Sequence, residues 1–150
     1  MAKANKKLIN KLHEAADRIE NSDEYNWGHV GRCNCGHLAQ CITSLDKSEI
    51  YVRARAQELD EWTEYANDYC PQSGAPMDMI MDSMFEIGME TEDIHHLEYL
   101  SDKSVLHALP GGFRYLEKGK KDNAALYMHT WANLLEEELK ESATAVAVTV

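Results

Sequence analysis

The stretch Lys6-Lys7-Leu8-Ile9-Asn10-Lys11-Leu12-His13-Glu14-Ala15-Ala16-Asp17-Arg18-Ile19-Glu20-Asn21 decides the fold class. Leu8, Ile9, Leu12, Ala15, Ala16 and Ile19 recur at the spacing of one helix face, with Lys, Glu and Asp opposite. The pattern predicts an amphipathic helix ending near Asn21-Ser22. A loop carrying Tyr25 through Gly31 follows.

The same period continues outward. A second helix is predicted from about Cys33–Cys35, with Asn34 as its N-cap and Leu38, Ile42 and Leu45 as its stripe. Asp46 with Glu49 resembles a capping box. A helical stretch, one helix or two, is expected over 48–69, with Leu59, Trp62, Ala66 and Tyr69 on one side. The run 70–76 breaks it, and Pro76 and Gly88 suit the first turn and the C-terminal cap of the next helix. Thr91 is expected to cap a short helix reaching about Leu100. Asp102 or Ser104 starts another, stopped by Pro110-Gly111-Gly112. The last helix is predicted over 122–141, where Ala125, Met128, Ala132, Leu135 and Leu139 form a packing seam. No series of strands is visible. The expectation is an all-α irregular bundle of about six or seven helices: a single domain over 1–142 and a flexible or partner-dependent tail over 143–150.

At 150 residues, 44% hydrophobic and 27% charged, the chain can bury a core of its own. Its net charge of -11 argues against general nucleic-acid binding and against docking on anionic membranes. No segment approaches the roughly 20 apolar residues of a membrane span. The N-terminus lacks the continuous apolar region of a secretory signal, so a cytoplasmic location is expected. Cysteines stay reduced there and read as metal-binding, catalytic or inert.

Three of the four cysteines lie between 33 and 41, inside or beside Trp27-Gly28-His29-Val30-Gly31-Arg32-Cys33-Asn34-Cys35-Gly36-His37. Imidazole and thiolate are metal ligands, and the glycines at 28, 31 and 36 permit a tight path. His29, Cys33, Cys35 and His37 are the candidate ligands, with zinc the first candidate ion. If the helix begins by Arg32, Cys33, His37 and Cys41 share one helix face instead. The plain alternative is small core cysteines and histidines bonded to loop carbonyls. A third reading is a Cys-dependent enzyme, with Cys35 activated by a helix N-terminus and His29 or His37 as its base.

Glu92 and His95 are three apart, as are Asp93 and His96, which is half of a di-iron carboxylate signature. The residues three before the other histidines are Asn10, Asn26, Asn34, Ser104 and Leu126, so no second half exists. A mononuclear site using His95 or His96 with Glu92, or one shared with the cysteine loop, remains. The run His13-Glu14-Ala15-Ala16-Asp17 departs from the zincin pattern His-Glu-x-x-His by its last residue, and reads as the polar side of an amphipathic helix. Five of seven methionines lie between 77 and 89, but Met77, Ile80, Met81, Met84 and Ile87 fit a buried stripe better than a copper site. Residues 79–100 have helix-turn-helix spacing, yet Glu92, Asp93 and Glu98 would repel phosphate. Gly111-Gly112 near Arg114 and Lys118 reads as a small-anion seat or as a plain turn.

The leading expectation is a helical protein with a His/Cys metal site. That site is structural if four protein ligands close it, and hydrolytic if one position is open and Glu92 or a neighbouring carboxylate acts as base. The expectation from another class is a non-enzymatic interaction module. It would homodimerise through its apolar helix faces, using the Met-rich stripe, the last helix and the tail.

Overall fold

Asn5 opens the first helix, α1 (Lys6–Asn21). Its side-chain oxygen accepts from the Leu8 amide at 2.9 Å, satisfying one of the N–H groups that a helix start leaves open. Its amide donates to the Ile87 carbonyl at 2.8 Å, so the same cap ties α1 to a distant part of the chain. This computed structural model describes residues 2–23, Tyr25, residues 33–43, Glu49 and residues 78–148. The expected 48–69 helical stretch (Glu49 excepted), the 70–76 break, Leu45 and the loop residues 26–32 lie outside the described residues.

Five further helices follow among the described residues: α2 (Asn34–Thr43), α3 (Asp78–Glu86), α4 (Thr91–Tyr99), α5 (Lys103–His107) and α6 (Lys121–Val148). The described residues hold no strand, and the architecture is the expected all-α bundle. α1 packs chiefly along α6 and secondarily on α2, α2 also meets α3 and α4, and α5 leans on α6. All six apolar residues of the α1 stripe are buried. Ala124, Ala125, Met128, Ala132 and Leu135 of α6 are buried too. Small residues on both helices let the axes approach closely. Ile80, Met81, Met84 and Ile87 are buried as predicted, so this part of the methionine stripe is core.

The punctuation follows backbone chemistry. After α3 the Gly88 amide bonds the Phe85 carbonyl and the Met89 amide bonds the Met84 carbonyl. Gly88 has φ +108°, the left-handed conformation this C-terminal motif requires. The Lys3 amide then donates to the Gly88 carbonyl at 2.9 Å, binding the N-terminal arm to the turn. Asp102 caps α5 through the Ser104 amide, one of the two starts expected.

Three boundaries differ from expectation. Asn34 is not the cap of α2 but its first helical residue, its side chain being engaged by α4. Glu90, not Thr91, precedes α4, and its amide donates to Asp93 at 2.7 Å. The last helix runs to Val148 rather than stopping near Glu141. Residues 142–148 carry Ala, Ser, Thr and Val with neither Gly nor Pro, and an established helix continues through such a run.

No described helix is long and apolar enough to cross a membrane.

Candidate metal centre

Cys33, Asn34, Cys35, His37 and Cys41 are all buried. Asn34, 0% exposed, donates to the Leu97 carbonyl at 2.9 Å and accepts from the Tyr25 hydroxyl at 2.7 Å. The Glu98 carboxylate accepts from the Cys35 amide at 2.6 Å, and Cys33 Sγ accepts from the Gly36 amide at 3.4 Å. A carboxylate from α4 and a thiol together therefore cap the α2 N-terminus, where negative charge is favoured. His37 stacks beside Tyr25 with ring centroids 6.1 Å apart.

These contacts set the thiol chemistry. Burial, then the nearby Glu98 charge and Cys33, push the Cys35 thiol well above its ordinary range. Its Sγ meets the Ile94 carbonyl at 3.5 Å. The activation expected from the helix N-terminus is reversed, because desolvation and a carboxylate outweigh a partial dipole charge. Cys41 is also raised, by burial and then Glu14, with Arg18 opposing. Its neighbours are on α1, whereas those of Cys35 are on α4. Tyr25 is raised as well, by burial and then Glu98.

Among the described residues, one group of three His, Cys, Asp or Glu ligands has its donor atoms mutually within 4.8 Å. It is Asp17, Glu20 and His129, and it includes none of Cys33, Cys35, His37 or Cys41. His29 lies outside the described residues. Glu92, His95 and His96 do not form a group either. Glu92 and His95 are exposed, with the His95 ring on Tyr99, and His96 Nδ1 is 2.7 Å from the Ser101 hydroxyl. Asp93 is drawn inward, where it accepts from the Ala2 amide at 3.1 Å.

The convergent group stands where α1 meets α6. His13, Asp17 and Glu20 are spaced by four and three residues, so they share one face of α1 beside its buried stripe. α6 supplies His129. His129 Nε2 is 3.2 Å from Asp17 Oδ1, and His129 Nδ1 is 2.7 Å from His13 Nδ1. With both rings neutral, the two contacts fit one tautomer set: His13 donates from Nδ1, and His129 accepts at Nδ1 and donates from Nε2. Burial and the facing His129 hold the His13 pKa below its ordinary 6.5, with Glu136 and Asp17 opposing. The group is half-open to solvent: Asp17 and Glu20 are exposed and His129 is intermediate. Imidazole with carboxylates suits divalent zinc, manganese or iron.

No protein-family model, curated protein or solved structure matches the chain.

Sequence reasoning had His13 and Asp17 in view but assigned them to the solvent face. The signal for Asp17 and Glu20 was their shared stripe with His13. Nothing local marks His129, which arrives from a helix more than a hundred residues away.

Proposed function

We propose that the protein binds one divalent metal ion at the α1–α6 seam, through Asp17, Glu20 and His129, with His13 as the neighbouring imidazole. The observation that carries this reading is the mutual approach of three ligand atoms from two helices within 4.8 Å. The proposed role is structural: the ion clamps the first described helix to the last. Zinc is the first ion to test, since imidazole with carboxylates suits it. Among the described residues, no disulfide joins Cys33, Cys35 or Cys41, all buried, which fits a reducing, cytoplasmic setting.

The test measures stoichiometry by mass spectrometry after reconstitution with Zn2+ and Mn2+, together with the melting temperature. One ion per chain and a melting temperature that rises with metal are expected, because an ion that binds only the folded state stabilises it. Asp17→Asn with Glu20→Gln, and separately His129→Gln, should abolish both effects. A Cys33→Ser/Cys35→Ser protein should retain them. Metal lost in that cysteine variant, and kept in the seam variants, returns the site to the His29–His37 loop.

A further inference from the structure

Net charge averages over a molecule, and this molecule is not uniform. Residues 103–121 carry five of the fifteen Lys and Arg residues and one of the twenty-six acidic ones, Glu117, with Asp102 and Asp122 flanking the segment at its two ends. The acidic run Glu136, Glu137, Glu138 and Glu141 lies further along α6. At 1.5 Å per residue it begins about 22 Å beyond Lys121. That exceeds the roughly 8–10 Å over which charges act at physiological salt, so that run leaves the basic segment unscreened, and the nearer acidic neighbour is Asp122, whose charge acts on Lys120.

The same segment holds the two exposed large hydrophobic residues of the described chain, Phe113 at 40% and Tyr115 at 79%. Residues 113–117 have no helical structure, and Phe113 and Tyr115 are two apart, which suits projection to one side of an extended segment. The rings do meet, edge to face, with centroids 5.1 Å apart. The His107 ring supports Phe113 from α5 at 4.6 Å. Half-buried Leu116 anchors the loop to the core. Arg114 is steadied by the Pro110 carbonyl at 2.9 Å, and Lys118 lies over the Tyr99 ring at 4.9 Å.

Cations alone would serve any polyanion. Cations interleaved with solvent-facing rings, on a loop held in shape, suit a partner that offers both phosphates and flat π-faces. We propose that the 103–121 surface binds single-stranded nucleic acid, with bases stacking on Tyr115 and Phe113 and phosphates meeting Arg114, Lys118 and Lys120. Stacking of this kind tolerates any base, and the phosphate contacts make it salt-dependent. Glu117, paired with Lys120 at 2.8 Å, yields its partner to the strand. Duplex DNA is disfavoured, because its bases offer no free faces.

The test is fluorescence anisotropy of fluorescein-labelled 12-mers, oligo(dT) and oligo(U), titrated with the full chain at 50 mM and 200 mM salt. Saturable binding that weakens with salt is expected. Phe113→Ala/Tyr115→Ala should weaken it about tenfold or more, and Lys118→Gln/Lys120→Gln should weaken it and flatten the salt dependence. All four sites are solvent-facing, and circular dichroism should show unchanged helicity. Absence of binding at 50 mM salt overturns the proposal. So does binding that ignores the loss of both rings. Equal displacement by polyglutamate, or preference for phosphatidylserine vesicles over the oligonucleotides, assigns the patch to another anion and overturns it too.

Discussion

His13 loses hydration against α6 and gains a second imidazole, and both effects disfavour its proton. The unfolded chain carries no such penalty. In the window below pH 6.5 the unfolded state therefore binds this proton more readily, and stability falls as pH falls. The His13 contribution is complete above pH 6.5. Urea unfolding at pH 7.5 and 5.5 should show a smaller free energy at the lower pH, and His13→Gln should narrow the difference. Asp17 and Glu136 oppose the penalty, so neutralising either should widen it. Glu98 shows the converse use of charge. It is buried and receives the Cys35 amide at the α2 N-terminus. Glu98→Ala strands that amide and should cost about 2 kcal/mol in urea unfolding. Glu98→Gln keeps an acceptor and should cost less. These roles were hidden in the sequence, since a Glu in a short helix reads as solvent-facing until its partner is known. Cys35 was legible as a special position, but the direction of its thiol pKa was not, because that depends on Glu98.

At the scale of elements, stripes and stops were legible and pairings were not. Leu8 to Ile19, Met81 and Met84, and Ala125 to Leu135 announce their buried faces by period alone, and the stop at Gly88 follows from the one residue that tolerates its backbone. The partner of each stripe depends on contacts across the chain, which is why the α1–α6 seam and its His129 were missed. Gly88 tests the stop. A Cβ there would lie 3.0 Å from the Lys3 carbonyl oxygen and from Asn5 Nδ2, on a backbone that other residues rarely adopt. Gly88→Ala should cost about 1–3 kcal/mol and loosen the N-terminal arm. The seam has its own test. Ala125 is 0% exposed, and Ala125→Leu adds volume where the interior has none to spare. A loss of about 1–3 kcal/mol is expected, read from the urea midpoint at unchanged slope.

Across the whole molecule, the N-terminal arm and first helix are bound to distant partners. Ala2 donates to Asp93, Lys3 to Gly88 and Asn5 to Ile87, while α1 lies along α6. Such closure makes local opening of α1 costly, because releasing it uncovers the stripes of two helices. Native-state hydrogen exchange should give the amides of Leu12, Ala16 and Met128 one shared free energy of opening, close to that of global unfolding. The 113–117 loop, with no helical hydrogen bonds, should exchange far sooner. Equal protection of loop and seam would count against this account.

The pairing of α1 with α6 also fixes an order of events at the ribosome. About 100 residues separate the two helices, roughly 5–20 s of synthesis at 5–20 residues per second. Through that interval α1 has emerged without its main partner, and a helix of 16 residues is marginal alone. Its lysines and carboxylates must keep the nascent segment dispersed while Leu8, Leu12 and Ile19 lack α6 and have only α2 as an early partner. A premature stop ahead of Lys121 would leave that stripe without its main partner for good. The expected product is an aggregating or chaperone-bound fragment rather than a shortened functional protein.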